Sequence, residues 1–241
     1  MRIPRIYSKQ TFIADGVVDL PEAQSHYLSK VLRMQTGREL TVFNGEGGQY
    51  SAEIVNITKK NVSIEIKAFS PENRQSHLEL ELAIGISRGE RMDWVLQKAT
   101  ELGVTKITPL ITERTEVKLG GERADKKFLH WQQILVSACE QCQRNLLPDL
   151  SEPVLFNDWI TASKAEYKFV LHHRDSQGLP ATQNVHSVEL LIGPEGGLSD
   201  EEIAQAIQKK FLPLTLGPRV LRTETAPVAA ISLVQYLWGD F

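Results

Sequence analysis

Two loops near the C-terminus, each lying between an apolar run and a helical pattern, constrain the second half of this 241-residue chain to an α/β arrangement. The first loop reads GPEGGL over residues 193–198, and the second reads LGPRVLRTETAP over residues 216–227. Glycine-rich turns at the carboxyl ends of parallel strands are where open α/β sheets bind ligands. Two such turns close together in the sequence predict one pocket bounded by both loops.

The rest of the second half agrees with that arrangement, because predicted strands alternate with predicted helices from Leu78 onward. This alternation indicates an α/β fold with a mainly parallel sheet and helices on both faces. The predicted strands are 80–86, 104–110, 169–172, 188–192 and 211–216, and the predicted helices are 90–102, 124–145 and 228–238. The last helix is apolar on most sides, which indicates burial, in part at a subunit interface.

The N-terminal part follows a different pattern, with several short strands and few helices. Strands are predicted at 40–43, 50–57 and 62–66, and a short helix at 21–34 with Tyr27, Leu28, Val31 and Leu32 facing inward. This pattern predicts a small β domain, and the polar stretch 70–76 is the best linker candidate. We therefore expect two domains, residues 1–72 and residues 73–241.

The first loop lacks the features of a nucleotide-phosphate site: it is not G-x-G-x-x-G, and it has no Walker lysine. Ser199 and Glu202 form a capping box, so a helix is predicted to begin there. Acidic residues in its first turn occupy the positive end of the helix dipole. A neutral or cationic ligand, held by backbone groups, is therefore favoured over a phosphate.

The two loops together resemble the cofactor loops of the SPOUT class of RNA methyltransferases. Within that class, the chain is similar to the bacterial family that methylates N3 of uracil in 16S ribosomal RNA. The similarity runs nearly from end to end and includes MRIPRIY at 1–7, HYLSKVLRM at 26–34, SRGERMDWVLQKATELGV at 87–104, ITERTEVKL at 111–119 and ACEQCQRNLLP at 138–148. The second loop is its most specific part.

This resemblance implies a PUA-like RNA-binding β-barrel followed by a methyltransferase domain whose last third forms a deep trefoil knot. Chains rarely thread their own loops, and neither composition nor periodicity indicates the knot. The resemblance also implies S-adenosylmethionine as cofactor, N3 of a specific uridine in 16S ribosomal RNA of the small subunit as methyl acceptor, and a homodimer in which each subunit completes the other's pocket.

The cofactor site implied by the resemblance is formed by three strand ends. Its predicted residues are His172, Leu191, Ile192, Gly193, Glu195, Gly196, Gly197, Leu198, Leu216, Gly217, Val220, Leu221 and Arg222.

Methylation at N3 of uracil requires the ring to lose a proton, and a guanidinium near the uracil oxygens would stabilise the anion. The candidate arginines are Arg114, Arg219 and Arg222. Glu140 and Glu224 are both candidate proton acceptors, and the sequence does not choose between them. Glu140 and Arg144 stand at i and i+4, so they could instead simply pair with each other.

The RNA surface is predicted from an uneven charge distribution. The chain has a net charge of −3, but residues 1–38 contain six Lys and Arg against three Asp and Glu, a net charge of +3. A basic segment on an acidic body can dock on phosphates, although it can also be an ordinary solvated face. The predicted RNA-binding residues are Arg2, Arg5, Lys9, Lys30, Arg33 and Arg144.

Several classes of function are disfavoured. Cys139 and Cys142 have no second pair for a structural zinc site, His172 and His173 have no third ligand at a recognisable spacing, and no nucleophile-elbow sequence appears. No apolar stretch approaches the roughly 20 residues that span a membrane, and no secretory signal is recognisable, so we expect a cytoplasmic protein without a membrane or metal partner. Two alternatives remain open: a non-catalytic RNA-binding or ribosome-associated protein, and a small-molecule methyltransferase.

Overall fold

The computed structural model describes residues 3–117, 120–172, 180 and 184–241, and these divide into two compact units. The first unit comprises the chain up to Gln75 together with Cys139–Leu147. The second comprises Ser76–Ala138 and Pro148–Phe241. The end of one long helix, with the turn that follows it, is therefore part of the first unit although it lies far along the chain.

The first unit is built on a five-stranded sheet in the order β1-β3-β4-β5-β2. Its strands are β1 (Arg5–Tyr7), β2 (Val17–Asp19), β3 (Glu39–Phe43), β4 (Gln49–Ile57) and β5 (Val62–Ser70). The strands β3, β4, β5 and β2 pair antiparallel, whereas β1 joins β3 in parallel. Alternating residues such as Val62, Ile64 and Ile66 enter one apolar core, as the period-2 pattern predicted.

The predicted helix of this unit is present as α1 (Glu22–His26), continued by one π-helical turn (Tyr27–Val31). Leu28 is fully buried, but Tyr27, Val31 and Leu32 are exposed, so the prediction that they face inward was wrong. The reason is the π turn: more residues per turn rotate successive side chains away from the α-helical stripe on which that prediction was based.

The second unit contains a seven-stranded sheet, and every pair of neighbouring strands in it is parallel. The order is β12-β10-β11-β6-β7-β8, and β9 also pairs with β7. The strands are β6 (Glu79–Gly85), β7 (Lys106–Ile111), β8 (Asp149–Leu150), β9 (Val154–Leu155), β10 (Tyr167–Leu171), β11 (Ser187–Ile192) and β12 (Leu212–Leu214). The mainly parallel α/β sheet predicted from the sequence is confirmed.

Helices cover both faces of this sheet, because successive strand residues enter two different apolar cores. Leu82 and Ile84 pack with the first core, whereas Ala83 between them packs with the second. The first core includes side chains of α2 (Glu90–Glu101), α3 (Glu122–Cys142) and α6 (Thr225–Trp238). The second includes side chains of α4 (Phe156–Ala162) and α5 (Asp200–Gln208).

The main differences from the predicted elements are at helix ends and in short segments. The long helix α3 ends at Cys142 rather than at residue 145, because Gln143 has a positive φ of 70°. The two-residue strands β8 and β9 and the short helix α4 are too brief to leave a periodic pattern. No helix among the described residues is long and apolar enough to cross a membrane.

Candidate functional site

The three segments predicted to bind a cofactor meet at one edge of the parallel sheet. β12, β10 and β11 are parallel neighbours, so their carboxyl ends point the same way. His172 follows β10, residues 193–198 follow β11, and residues 216–222 come shortly after β12. This is the edge at which open α/β sheets bind ligands.

The loop after β11 is compact because two glycines allow backbone segments to touch. A Cβ atom on Gly193 would lie 2.6 Å from the carbonyl carbon of Gly197, and one on Gly85 would lie 2.3 Å from Cδ of Pro194. Real Cβ atoms essentially never approach so closely, so any side chain at either position would displace the loop. The ends of β6 and β11 are therefore held in direct contact.

Gly197 is required for a different reason, since it has a φ of +70° and open space around the position of a Cβ atom. Gly217, in the second loop, has a φ of +81°. Glycine adopts such angles without the steric cost that other residues incur. The first loop thus presents bare backbone to an unfilled space, which suits a ligand held by main-chain groups.

Glu195 is bound to the protein rather than directed at a ligand. Its Oε1 atom accepts hydrogen bonds from the backbone N–H of Arg88 at 2.9 Å and from the Arg91 guanidinium at 3.2 Å. Burial alone would raise the pKa of Glu195, but these hydrogen bonds outweigh it and lower the pKa below its usual value. The carboxylate therefore fixes the loop.

A second set of contacts anchors the same loop from β7 and α5. Arg114 donates to the carbonyl oxygen of Gly196 at 2.9 Å. The capping box predicted for Ser199 and Glu202 is confirmed, and Glu202 also accepts from the backbone N–H of Glu113 at 2.9 Å. The first turn of α5 is thus satisfied internally, which disfavours a phosphate there.

The second loop begins where β10 and β12 are joined. The backbone N–H of His172 donates to Leu214 at 3.1 Å, and Thr215 Oγ1 donates to the His172 carbonyl at 2.8 Å. Leu216 packs on the first core of the sheet, whereas Val220 is 84% exposed. A firmly held start and an exposed apolar tip are the features of a loop that contacts a ligand.

The candidate catalytic arginines of this loop are accessible. Arg219 is exposed, and the side chain of Arg222 is 81% exposed, with its Nη1 atom 3.9 Å from Glu224 Oε1. Glu224 is the N-cap residue of α6. Both guanidinium groups are therefore free of burial and can reach an incoming molecule.

The segment after β6 was not assigned to the site from the sequence, but it belongs to the same edge. Arg88 and Arg91 lie there with half or more of each side chain exposed, and both contact Glu195. Ser87 is fully buried, and its Oγ atom has no hydrogen-bond partner among the described residues. Their position directly after a predicted strand was the signal available in the sequence.

In the first unit, Arg5 has internal partners. It donates to Gln49 and Asn145 side chains and to the Arg144 carbonyl at 3.3 Å, and it lies 4.4 Å from the centre of the Phe43 ring. Burial lowers the pKa of Arg5. These contacts give Arg5 a structural role within the first unit, and its assignment to RNA binding stays a prediction.

Glu140 and Arg144, also in the first unit, are held in the same region. Glu140 accepts the backbone N–H of Tyr7 at 2.9 Å, and burial raises the pKa of its carboxyl group. Arg144 is only 3% exposed and donates to Gln75 at 2.7 Å, and its assignment to RNA binding, like that of Arg5, stays a prediction. Cys139 is buried and Cys142 is half-buried, as expected of packing thiols.

The remaining predicted RNA-binding residues are Lys9, Lys30 and Arg33, which are all exposed. Arg2 lies outside the described residues, as does His173. Within the described ranges, no three His, Cys, Asp or Glu side chains come together as a metal-binding group.

Comparison with known proteins gives two family matches. Residues 74–235 match the model described as an RNA methyltransferase domain, and residues 20–67 match the model described as an RNA methyltransferase PUA domain. The first match alone covers more than half of the chain.

Similar proteins extend over the whole length. The chain is 39% identical to ribosomal RNA small subunit methyltransferase E of Buchnera aphidicola, over 99% of this chain and 98% of that protein. A methyltransferase of Legionella pneumophila, solved with bound SAM, is 43% identical with a TM-score of 0.96, covering 100% of both chains. The small subunit methyltransferase E of Neisseria gonorrhoeae, solved with S-adenosylmethionine, is 36% identical with a TM-score of 0.92, also covering 100% of both chains.

Proposed function

Since this chain belongs to the RNA methyltransferase family with an N-terminal PUA domain, we propose that it methylates N3 of a specific uridine in 16S ribosomal RNA. The methyl donor is S-adenosylmethionine, which is bound in the two similar solved structures named above. Full-length similarity to small subunit rRNA methyltransferases is the observation that carries the proposal.

The residues at the sheet edge fit this cofactor. The loop after β11 offers backbone groups and an open space at Gly197, and the acidic first turn of α5 is compatible with a sulfonium cation. When bound, S-adenosylmethionine supplies an electrophilic methyl group. We propose that the cofactor is held by His172, by Leu191–Leu198 without Pro194, and by Leu216, Gly217 and Val220–Arg222. In this set the backbone of Glu195 faces the cofactor, while its carboxylate fixes the loop.

The protein must position the acceptor nitrogen and help it to lose its proton. Good positioning alone can supply about 7–11 kcal/mol of the barrier. We assign stabilisation of the developing uracil anion to Arg222, assisted by Arg219, because both guanidinium groups are exposed beside the second loop. Arg114 donates to Gly196 and is better suited to fixing the loop.

Of the two candidate proton acceptors, we favour Glu224. It lies within the second loop, near Arg222. Glu140 already accepts a backbone N–H within the first unit. Since N3 lies on the Watson–Crick edge, the target uridine must be unpaired or flipped out for either residue to act.

We further propose the trefoil knot and the homodimer. The knot is supported by the path of the chain after the edge strand β12, since α6 packs against α2 and β11 near the middle of the sheet. The dimer is supported by α6, where Tyr236 is 72% exposed and Leu237 is 43% exposed on a helix whose other residues after Thr225 are buried or half-buried. A ribosomal RNA substrate would place the enzyme in the cytoplasm.

The proposal is tested by mass spectrometry of nucleosides from 16S ribosomal RNA. RNA from a strain lacking the gene should lose 3-methyluridine, and the purified protein with S-adenosylmethionine should restore it. Unchanged 16S nucleosides would refute the proposal. Restoration on assembled 30S particles but not on free RNA would identify the form of the substrate.

A further inference from the structure

An exposed face of the first unit combines apolar and basic side chains. We call it the Tyr27 face; its residues are His26, Tyr27, Lys30, Val31, Leu32 and Arg33, all of which are exposed. Tyr27 is 41% exposed, Val31 is 58% exposed and Leu32 is 39% exposed. Three large apolar side chains in one helical segment need an explanation, because a domain this small would gain stability from burying them.

The attachment of the helix to the unit does not use these side chains. Leu28 supplies the buried apolar contact, and Ser25 supplies a polar one. Ser25 Oγ donates to the Leu20 carbonyl at 2.9 Å and accepts the Val62 backbone N–H at 3.0 Å. Leu28 and Ser25 thus attach the segment to the unit, which leaves the Tyr27 face exposed to solvent.

The backbone of this segment is also unusual. The π turn is closed by the bond from the Leu32 N–H to the Tyr27 carbonyl at 2.9 Å, and Arg33 has a φ of +50°. A left-handed conformation at a non-glycine residue costs free energy, and π turns occur often at functional sites. Strain kept in an exposed segment that contributes little to the core favours a binding role.

We propose that the Tyr27 face binds unpaired nucleotides of the RNA substrate, with a base stacked on Tyr27 and phosphates contacted by Lys30 and Arg33. This inference rests on the proposed function and extends it from phosphate contact to recognition of single strands. Residues 21–38 contain three Lys and Arg against one Glu, whereas the whole chain is acidic. Single-stranded RNA offers both phosphates and open base faces, whereas a duplex hides its base faces from such a surface.

The proposal is tested on the full chain by fluorescence polarisation. Binding is measured with a short labelled single-stranded RNA and with the same strand annealed to its complement. Tyr27→Ala should weaken single-strand binding by about tenfold. It should leave the salt dependence unchanged, and Tyr27→Phe should bind like the wild type because the ring is kept. Lys30→Ala should instead lower the salt slope by about 0.7, as for one lost phosphate contact. Ile13→Ala, at a residue 71% exposed in the same unit, is the matched control.

The outcomes separate this inference from the proposed function. If the wild-type protein methylates 16S ribosomal RNA but Tyr27→Ala binds the single strand with unchanged affinity, the RNA-binding role of the Tyr27 face is overturned. The proposed function then stands. Wild-type RNA binding that depends on Tyr27 without any methyl transfer would overturn the proposed function and keep the face. A change in oligomeric mass for Tyr27→Ala with unaltered RNA affinity would show a contact between copies and overturn the RNA assignment.

Discussion

Single residues of the candidate site act mainly by fixing the conformation of the backbone. Gly193 and Gly85 permit close contact between two chain segments, and Gly197 permits a left-handed turn next to open space. Arg88, Arg91 and Arg114 then hold this loop by hydrogen bonds to the Glu195 carboxylate and the Gly196 carbonyl. A loop fixed in this way can bind a ligand through its main chain with little cost of ordering.

Gly197→Val should weaken binding of S-adenosylmethionine. A φ of +70° costs a non-glycine residue about 1–2 kcal/mol, so affinity should fall by about 5–30-fold as the loop adjusts. The added side chain would also enter the open space at the turn. Isothermal titration calorimetry measures the change. Gly47→Val, at a φ of +95° and also in open space, is the control and should keep full affinity; wild-type affinity in folded Gly197→Val would exclude this loop from the cofactor site.

Arg222→Ala should slow the chemical step, while the protein still folds, dimerises and binds S-adenosylmethionine within about an order of magnitude of the wild-type affinity. The 81% exposed side chain makes little contact with the protein, so the loss of one donor to the uracil anion should lower the rate by about 10²–10³. Raising the pH should recover part of the loss, because uridine then ionises without help. Arg222→Lys should be intermediate, since an ammonium lacks the planar fork.

Single-turnover rates across pH, measured beside cofactor affinity, test the role of Arg222. A purely structural arginine would give a different result. Its removal would lower cofactor affinity and thermal stability together, and alkaline pH would not restore the rate.

Helices and strands with a clear pattern of apolar residues were predictable from the sequence. Elements whose conformation depends on tertiary contacts were not. Strands β6, β7, β10, β11 and β12 follow from apolar runs, the helices α2, α3 and α6 follow from apolar periodicity, and the start of α5 follows from the capping box at Ser199. The orientation of α1 could not be predicted, because no sequence pattern marks a π turn. The internal roles of Arg5 and Arg144 were also hidden, since composition does not distinguish a buried guanidinium from a solvated one.

The end of α3 is predicted to stabilise the first unit through Arg5. Arg5→Ala leaves acceptors on Gln49, Asn145 and Arg144 without their donor, so the free energy of unfolding should fall by about 2–4 kcal/mol. Urea denaturation followed by circular dichroism measures this change. Arg33→Ala, at an exposed position, should alter stability by no more than about 0.5 kcal/mol but should lower the salt slope of RNA binding. Equal stability of the two variants would contradict the structural role of Arg5.

At the scale of the whole molecule, the features proposed to bind RNA and those proposed to bind the cofactor belong to different units. The basic residues near the N-terminus stand on a chain with a net charge of −3, and the first unit carries the Tyr27 face. The second unit carries the sheet edge with its acidic helix start and the exposed end of α6. RNA attachment and cofactor binding are thereby assigned to different units, which allows variants to affect one function at a time.

Leu237→Asp should dissociate the proposed homodimer. Leu237 is 43% exposed and lies beside Tyr236 near the end of α6, so a carboxylate there costs the single chain little but would be desolvated between two copies. A buried unpaired charge costs about 3–5 kcal/mol, which weakens the dimer by at least about a hundredfold. Sedimentation velocity should therefore show a dimer for the wild type and a monomer for the variant. Ile207→Asp, at a residue 50% exposed on α5, should remain dimeric.

If each pocket is completed by the partner subunit, methyl transfer by Leu237→Asp should fall with dilution in parallel with the dimer fraction. A wild-type protein that sediments as a monomer while fully active would refute the dimer, and full activity of a monomeric variant would show that one subunit contains the complete site.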